Sequence, residues 1–348
     1  MNKLMHTGFA VLLLVLAAPL LAEQVDESLG AGMVNPGYHD KPGWFKESFL
    51  DIREDTQEAA GQGKRLMLYF YQDGCPYCAK LLQDNFGDQN IAATTQQYFD
   101  VIAINMWGDR EVTGFDGLAT TEKAFARSLR VQFTPTLLML NENGKVLLRL
   151  NGYYAPHQFD LALNYVGKHL EEKQTFREFV REAPVDKASG KLHTGIATLP
   201  APLDLTAKSR TAGRPLLVLF EQPVCRACDE LHQDIFKREA VQPALKPFDI
   251  VVLDMWSNDN IKRPDGKTQK IRDWAVELGI AYSPTMLFLD SEGNEVFRTE
   301  AYLKSFHTKA ALDYVATGAY KKEPEFQRFV QKIADDLHAR GIEFDLMD

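Results

Sequence analysis

Four cysteines are the residues of this 348-residue chain with the most evident chemistry, and they form two pairs of identical spacing. Cys75 and Cys78 lie in DGCPYC, and Cys225 and Cys228 lie in PVCRAC, each pair soon after an apolar run. A C-x-x-C pair can bind a metal, form a small structural disulfide, or cycle between thiol and disulfide. The surrounding sequence has to distinguish between these three uses.

Metal binding is disfavoured by the separation of the two pairs. Zinc sites commonly combine two such pairs about 15–20 residues apart, whereas 146 residues lie between Cys78 and Cys225. His232, one helical turn after Cys228, could add a ligand, but the first pair has Leu82 there, and an exposed helical histidine is the simpler interpretation. A purely structural role is also disfavoured, because disulfides stabilise more when they close long loops. We therefore predict no metal site.

The chain repeats itself at an offset of 149–150 residues, and the repeat extends far beyond the cysteines. The matching segments are 65–86 and 215–236, 99–109 and 248–258, and 131–149 and 280–298. A period of this length indicates a duplicated domain, because the repeats of solenoid proteins are far shorter.

Each copy has the same predicted order of elements: strand, helix, strand, helix, strand, strand, helix. A buried strand ends just before the cysteines and a helix begins at them. The second helix is predicted over 120–129 in the first copy and 268–278 in the second. This order predicts an α/β protein of two tandem domains, each a central mixed β-sheet flanked by helices on both faces.

Composition divides the chain into six segments. Residues 1–22 contain Lys3, an apolar stretch and Ala22, and we expect a signal peptide cleaved after Ala22. The alternative is an uncleaved anchor, for which the stretch is short compared with a hydrocarbon core of about 30 Å. The other predicted segments are a leader (23–43), a first domain (44–182), a linker (183–203), a second domain (204–332) and a C-terminal helical tail (333–348).

Charge and export limit the expected partners and compartment. The net charge is −9 and no basic block is present, so neither nucleic acid nor an anionic membrane surface is an expected partner. No later segment of the sequence is apolar over a membrane-spanning length, so no stable membrane insertion is expected after cleavage. An exported chain would be periplasmic or secreted, in an oxidising environment where disulfides persist.

Redox cycling fits the position of the cysteines. The first cysteine of each pair is predicted at a helix N-terminus, where unpaired N–H groups and the helix dipole stabilise an anion. A thiolate, which is the nucleophile, is favoured there. Cys75 and Cys225 are therefore predicted to attack, and Cys78 and Cys228 to resolve the mixed disulfide. Arg226 would add positive charge beside Cys225, with a solvated surface arginine as the alternative.

A Thr/Ser-Pro element follows each cysteine pair. Thr134-Pro135 and Ser283-Pro284 place their prolines 57 and 56 residues after the second cysteine, ahead of an apolar strand. Strand, C-x-x-C at a helix start and this later proline together resemble the thioredoxin superfamily. The resemblance implies thioredoxin-like domains in which both prolines are cis. It also implies that the backbone of Thr134 and Ser283 pairs with an extended substrate segment.

The chain is similar in particular to exported thioredoxin-related proteins associated with sulfur oxidation and periplasmic thiol systems. The shared features are QDGCPYC and QPVCRAC, a tryptophan after the next strand (Trp107 and Trp256), and Gly152-Tyr153. The second copy departs from the pattern with Ala301 in place of Gly152. The tryptophans are expected either to shield the cysteines or to pack at the rim of the core.

A second departure concerns the buried acid that thioredoxins carry six residues before the first cysteine. This chain has Tyr69 and Leu219 at those positions. Glu221 or Asp73 could take over the tuning role, although a solvated loop acid is the simpler interpretation of each.

The resemblance implies an exported thiol–disulfide oxidoreductase that reduces or exchanges disulfides of protein substrates through both sites. No flavin or nicotinamide motif is present, so we expect no cofactor, and a thiol protein as electron donor or acceptor. Reduction is favoured because the histidine that strong oxidants carry between their cysteines is absent. The alternatives are a disulfide oxidant or isomerase, and a thioredoxin-fold binding module whose second domain is redox-inactive.

Overall fold

The computed structural model describes residues 38–183, 188–196, 198–300, 303–342 and 347. The predicted signal peptide, most of the leader and Ala301 lie outside the described residues. Within these ranges no helix combines the length and the apolar character needed to cross a bilayer.

The first repeat alternates strands and helices. Its strands are β1 Arg65–Tyr71, β2 Phe99–Asn105, β3 Glu111–Thr113, β4 Ala119–Thr121, β5 Thr136–Leu140 and β6 Val146–Asn151. Its helices are α1 Ile52–Gly61, α2 Pro76–Lys80, α3 Gln89–Tyr98, α4 Glu122–Ser128, α5 Pro156–Gly167 and α6 Phe176–Glu182.

The second repeat follows the same plan. Its strands are β7 Leu216–Glu221, β8 Asp249–Asp254, β9 Asn260–Lys262, β10 Thr268–Lys270, β11 Thr285–Leu289 and β12 Glu295–Thr299. Its helices are α7 Arg226–Gln233, α8 Gln242–Leu245, α9 Ile271–Glu277, α10 Ser305–Ala316 and α11 Phe326–Ala339.

Each repeat has a four-stranded mixed sheet, ordered β2–β1–β5–β6 in the first and β8–β7–β11–β12 in the second. The central strand β1 is parallel to β2 and antiparallel to β5, and β7 has the same relation to β8 and β11. Both faces of these strands are covered, which is why their sequences are continuous apolar runs rather than alternating ones. Side chains alternate between two apolar clusters, with Met67 and Tyr69 in one and Leu68 and Phe70 in the other. The predicted fold class is confirmed.

The predicted second helix of each repeat begins too early. Residues 119–121 and 268–270 form strands that pair with β3 and β9 in short hairpins. The hydroxyl of Thr121 accepts from the Ala124 N–H and caps α4, which therefore begins at Glu122. Helices α1 and α3 are additional to the predicted elements. The carboxylates of Asp51 and Asp88 cap their first turns. Helix α11 continues through the boundary predicted at 332/333 and ends at Ala339, two residues before Gly341, which has φ 66°.

The two repeats pack together through the aromatic residue that precedes each Thr/Ser-Pro element. Phe133 of the first repeat belongs to an apolar cluster of the second, with its ring centroid 6.4 Å from that of Phe297. Tyr282, at the equivalent position, belongs to a cluster of the first repeat, 4.3 Å from the Tyr154 ring and 5.3 Å from the Phe176 ring. Each repeat therefore completes the core of the other.

Replacing Tyr282 with alanine should lower the free energy of unfolding by about 3–5 kcal/mol, because the change leaves a cavity in the core of the first repeat. Chemical denaturation followed by circular dichroism measures the effect. The control is Tyr38→Ala, at a tyrosine that is 65 % exposed, which should change the free energy of unfolding by less than about 0.5 kcal/mol. Equal effects of the two substitutions would contradict the mutual insertion.

Candidate active site

Both cysteine pairs lie at helix starts, as predicted. Cys75 is the N-cap residue of α2 and Cys225 that of α7. Each pair forms a disulfide, and the N–H of the second cysteine donates to the Sγ of the first, over 3.1 Å from Cys78 and 3.0 Å from Cys228. The sulfur of the first cysteine thus faces the N–H groups of the first helical turn, which have no intrahelical partners and favour a thiolate after reduction.

A tryptophan–glutamine hydrogen bond holds the loop before each pair. The indole Nε1 of Trp107 donates to Gln72 Oε1 over 2.7 Å, and that of Trp256 donates to Gln222 Oε1 over 2.8 Å. Both tryptophans are half-buried beside the cysteine loops. They therefore position these loops, a role that the sequence had indicated only as shielding or packing.

The proline elements lie against the cysteines. The Thr134–Pro135 and Ser283–Pro284 peptide bonds are both cis, as the resemblance implied. The hydroxyl of Thr134 donates to Cys75 Sγ over 3.2 Å, and its carbonyl oxygen lies 3.5 Å from the same sulfur. The first site therefore has the predicted neighbours at contact distance.

The second repeat closes the site at Cys75. The Tyr77 hydroxyl accepts from the Lys304 N–H over 2.9 Å, and the Tyr77 ring packs edge-on at 4.9 Å from His307. Cys75 and Thr134 are each 3 % exposed, and the remaining cavity is about 30 Å³. An extended substrate segment cannot reach the Thr134 backbone in this arrangement.

The site at Cys225 is open. A cavity of about 390 Å³ adjoins Cys225 between α7 of the second repeat and α5 and α6 of the first. Trp256 and Ser283 line this cavity, and Ser283 and Pro284 are half-buried, unlike their buried counterparts in the first repeat. A cysteine at its wall can meet an incoming disulfide without separation of the repeats.

Of the proposed tuning residues, Arg226 and Asp73 are exposed, and Arg226 lines the open cavity beside Cys225. The interpretation of Glu221 as a solvated loop acid is wrong. Glu221 is the last residue of β7, is 0 % exposed, and has Oε1 2.6 Å from Nε2 of His232. The sequence placed Glu221 in a loop because a carboxylate rarely ends a buried strand without a partner.

His232 is likewise buried, so its interpretation as an exposed histidine is also wrong. Its ring stacks on that of His193 with centroids 4.6 Å apart, and His193 Nε2 lies 2.6 Å from Asp229 Oδ1. Burial raises the pKa of the Asp229 carboxyl, but hydrogen bonds from Ser189 and His193 outweigh it and leave that pKa below its ordinary value. Among the described residues no group of three or more potential ligands is arranged to hold a metal.

The chain belongs to the thioredoxin-like domain family. The family model matches residues 52–167 and again 204–316, together about two thirds of the sequence. Comparison with curated proteins finds no significant match. With two C-x-x-C pairs, each bonded as a disulfide at the start of a helix, the protein is a thiol–disulfide oxidoreductase of the thioredoxin fold.

Several solved structures are weakly similar. A thioredoxin-fold protein from Helicobacter pylori is 20 % identical, with 40 % of this chain and 86 % of that chain covered and a TM-score of 0.33. A thioredoxin from Thermus thermophilus is 25 % identical over 34 % of this chain and 84 % of that chain, with a TM-score of 0.27. The first two thioredoxin domains of Eps1p from Saccharomyces cerevisiae are 13 % identical over 76 % and 96 %, with a TM-score of 0.26. The family assignment depends on the two sequence matches and not on these structures.

Replacing His232 with leucine should destabilise the protein by about 3 kcal/mol, because Glu221 would be left buried without its partner. The first repeat supplies a matched control, since Tyr71 and Leu82 occupy the equivalent positions. The double variant Glu221→Tyr/His232→Leu should therefore recover most of the loss in the free energy of unfolding, measured by denaturation. If the double variant is as unstable as the single one, the loss of stability is not caused by a buried Glu221 without its partner.

The two disulfides should differ in access. A protein-sized dithiol reductant should reduce Cys225–Cys228 at least about tenfold faster than Cys75–Cys78, because access limits exchange. Differential alkylation with mass spectrometry follows each pair. Tyr77→Ala installs the residue that the second repeat has at position 227 and removes the contacts with Lys304 and His307, so it should speed reduction of Cys75–Cys78. Equal rates for both pairs in the unaltered protein would show that the repeats separate freely.

Proposed function

We propose that the protein is an exported enzyme that reduces disulfides in protein substrates, and that Cys225 is the cysteine that receives the substrate. The observation that carries this proposal is the position of Cys225: it caps the start of α7 and, together with Ser283 of the cis Ser283–Pro284 bond, lines a cavity of about 390 Å³. The sequence alone predicts that both Cys75 and Cys225 attack. Both cysteines are buried, and it is the size of the cavity beside each, about 30 Å³ at Cys75 and about 390 Å³ at Cys225, that supports a division of roles.

In the proposed reaction the reduced enzyme transfers two electrons to the substrate. The Cys225 thiolate attacks one sulfur of the substrate disulfide, whose S–S bond breaks as a Cys225–substrate disulfide forms and the other sulfur leaves as a thiolate. The Cys228 thiolate then attacks Cys225 Sγ, and the second substrate sulfur leaves. The substrate takes up two protons as a dithiol, and the enzyme is left with the Cys225–Cys228 disulfide.

Substrate orientation is assigned to the backbone beside the cis proline. Ser283 lines the cavity with Cys225 and is half-buried. An extended segment that carries a disulfide can pair with this backbone while its sulfur approaches Cys225. In the first repeat the equivalent Thr134 is buried and its hydroxyl donates to Cys75 Sγ.

The oxidised enzyme has to be reduced again, and we assign that role to a thiol protein because the sequence contains no flavin or nicotinamide motif. Reduction rather than oxidation is proposed from the absence of histidine between the cysteines. Export follows from residues 1–22, with cleavage after Ala22 and a periplasmic or secreted product. Membership in the sulfur-oxidation-associated group belongs to the same proposal.

A second hypothesis is a binding module with one redox-inactive repeat. The sequence favours the second repeat as the inactive one. The closed site at Cys75 favours the first repeat for that role, since its Thr134 backbone and Cys75 are covered by residues of the second. In this form of the hypothesis the first repeat completes the walls of the Cys225 cavity.

The test compares cysteine variants of the full chain on a model disulfide protein with a small thiol as electron source. Cys225→Ser should abolish reduction of the model substrate, because the attacking thiolate is lost. Cys75→Ser should retain most of the activity, because that site is closed. Insulin turbidity or free-thiol release measures the rate.

A second measurement identifies natural partners. Cys228→Ser should trap mixed disulfides on Cys225 in the host, since the resolving thiol is missing. Cys78→Ser is the matched control at the closed site and should trap fewer. Absence of trapped partners together with inactivity of the unaltered protein in both directions would refute the enzyme proposal, and cell fractionation with N-terminal sequencing tests export.

A further inference from the structure

The cavity beside Cys225 has basic walls contributed by both repeats. Its cationic or titratable basic side chains are Lys80, His157, Arg177, Arg181 and Arg226. Among the described residues that line it, Glu230 is the one acid, and its carboxylate lies 2.8 Å from the ammonium of Lys304. The lining therefore contains more basic than acidic side chains, in contrast to the net charge of −9 of the whole chain.

Two arginines stack on the tryptophan that forms one wall. The guanidinium carbon of Arg177 lies 4.1 Å from the centroid of the Trp256 ring, and that of Arg181 lies 4.8 Å from it. Such stacking fixes the position of a cation without neutralising its charge. The two α6 arginines are thus held beside the cysteine of the other repeat.

Arg177 is buried, and its charge is not cancelled by a carboxylate in direct contact. Its guanidinium donates to the carbonyl oxygens of Met255 and Arg272, which are neutral acceptors. Burial is the main cause of the lowered pKa of the Arg177 guanidinium, and Arg181 lowers it further, whereas Asp254 and Glu178 act to raise it. Lys80, by contrast, is paired with Asp84 over 2.6 Å.

A concave site with one sign of charge concentrates ligands of the opposite sign and raises their association rate. The apolar part of the same wall, with Leu161, Val180 and Trp256, suits the stems of side chains rather than a small inorganic anion. Cys225 lines the cavity, so a ligand that the cavity concentrates is held beside the residue that supplies the nucleophile.

We propose that this cavity selects acidic disulfide-bearing peptide segments, with carboxylates that flank the substrate disulfide facing Arg181. The inference rests on the proposed function, because it names the substrate class of the exchange at Cys225. Segments with flanking lysines are repelled by the same arginine. The first site has no such preference, since its cavity of about 30 Å³ leaves no room for a flanking segment.

The experiment uses the full chain with Cys228→Ser and with Cys75–Cys78 kept oxidised, so that Cys225 is the free thiol. Three peptides of equal length, each with one disulfide flanked by glutamate, glutamine or lysine, are offered at low ionic strength. The rate of mixed-disulfide formation on Cys225 is followed by mass spectrometry. The glutamate peptide should react about tenfold or more faster than the lysine peptide, and 0.5 M salt should reduce this ratio.

Charge reversal at the cavity should abolish the preference. Arg181→Glu is placed in the same background, where the ratio of glutamate to lysine rates should fall to about one or below. Lys208→Glu is the control, because Lys208 is exposed, lies outside the cavity lining and gives the same change in net charge. Circular dichroism establishes that both variants are folded, and the glutamine peptide corrects for changes in thiol reactivity.

The outcomes separate the two proposals. If all three peptides react at equal rates, or if Lys208→Glu changes the ratio as much as Arg181→Glu does, the acidic preference is wrong while exchange at Cys225 stands. If no peptide reacts, including the glutamine one, the proposed function itself fails. A faster reaction of the lysine peptide also refutes the inference.

Discussion

The insertion of one aromatic residue from each repeat into the core of the other is the constraint on which the rest of the structure depends. Phe133 and Tyr282 directly precede the cis prolines, so the same contact that joins the repeats also fixes the loops beside the cysteines. Both redox sites are consequently bordered by the partner repeat. A thioredoxin-like domain in isolation would expose these loops to substrate, whereas here they form an internal interface.

This arrangement gives two equivalent sequences different surroundings. Around Cys75, the contacts of Tyr77 with Lys304 and His307 close the site. Around Cys225, the equivalent position carries Ala227, and a cavity with basic lining residues lies between Cys225 and helices α5 and α6 of the first repeat. One substitution between the cysteines, tyrosine or alanine, thus accompanies the difference between a closed site and an open one. The duplication supplies both the nucleophile and the walls that surround it.

The second repeat also carries a buried polar network that the first lacks. Glu221 and His232 occupy the positions of Tyr71 and Leu82 and interact with each other. The ring of the linker residue His193 stacks on that of His232 in α7. A single member of such a pair would be costly in the interior, and here His232 Nε2 and Glu221 Oε1 partner each other over 2.6 Å. Glu221 Oε2 and His232 Nδ1 are buried without a hydrogen-bond partner among the described residues. The network attaches the described part of the linker to the helix that begins at Cys225.

The prolines opposite the cysteines were implied by the resemblance to the thioredoxin superfamily. The sequence by itself determined the duplication, the mixed α/β sheets and the cysteines at helix starts. These are local features, because hydrophobic period and fixed spacing depend on neighbours along the chain. It did not reveal the burial of Glu221 and His232 or the unequal access to Cys75 and Cys225. Glu221 and His232 are only 11 residues apart, but their pairing depends on the packing inside the second repeat. Access to the two cysteines depends on contacts between the repeats, such as that of Tyr77 with Lys304, 227 residues apart. The similar local sequences of the two copies do not indicate which copy covers which site.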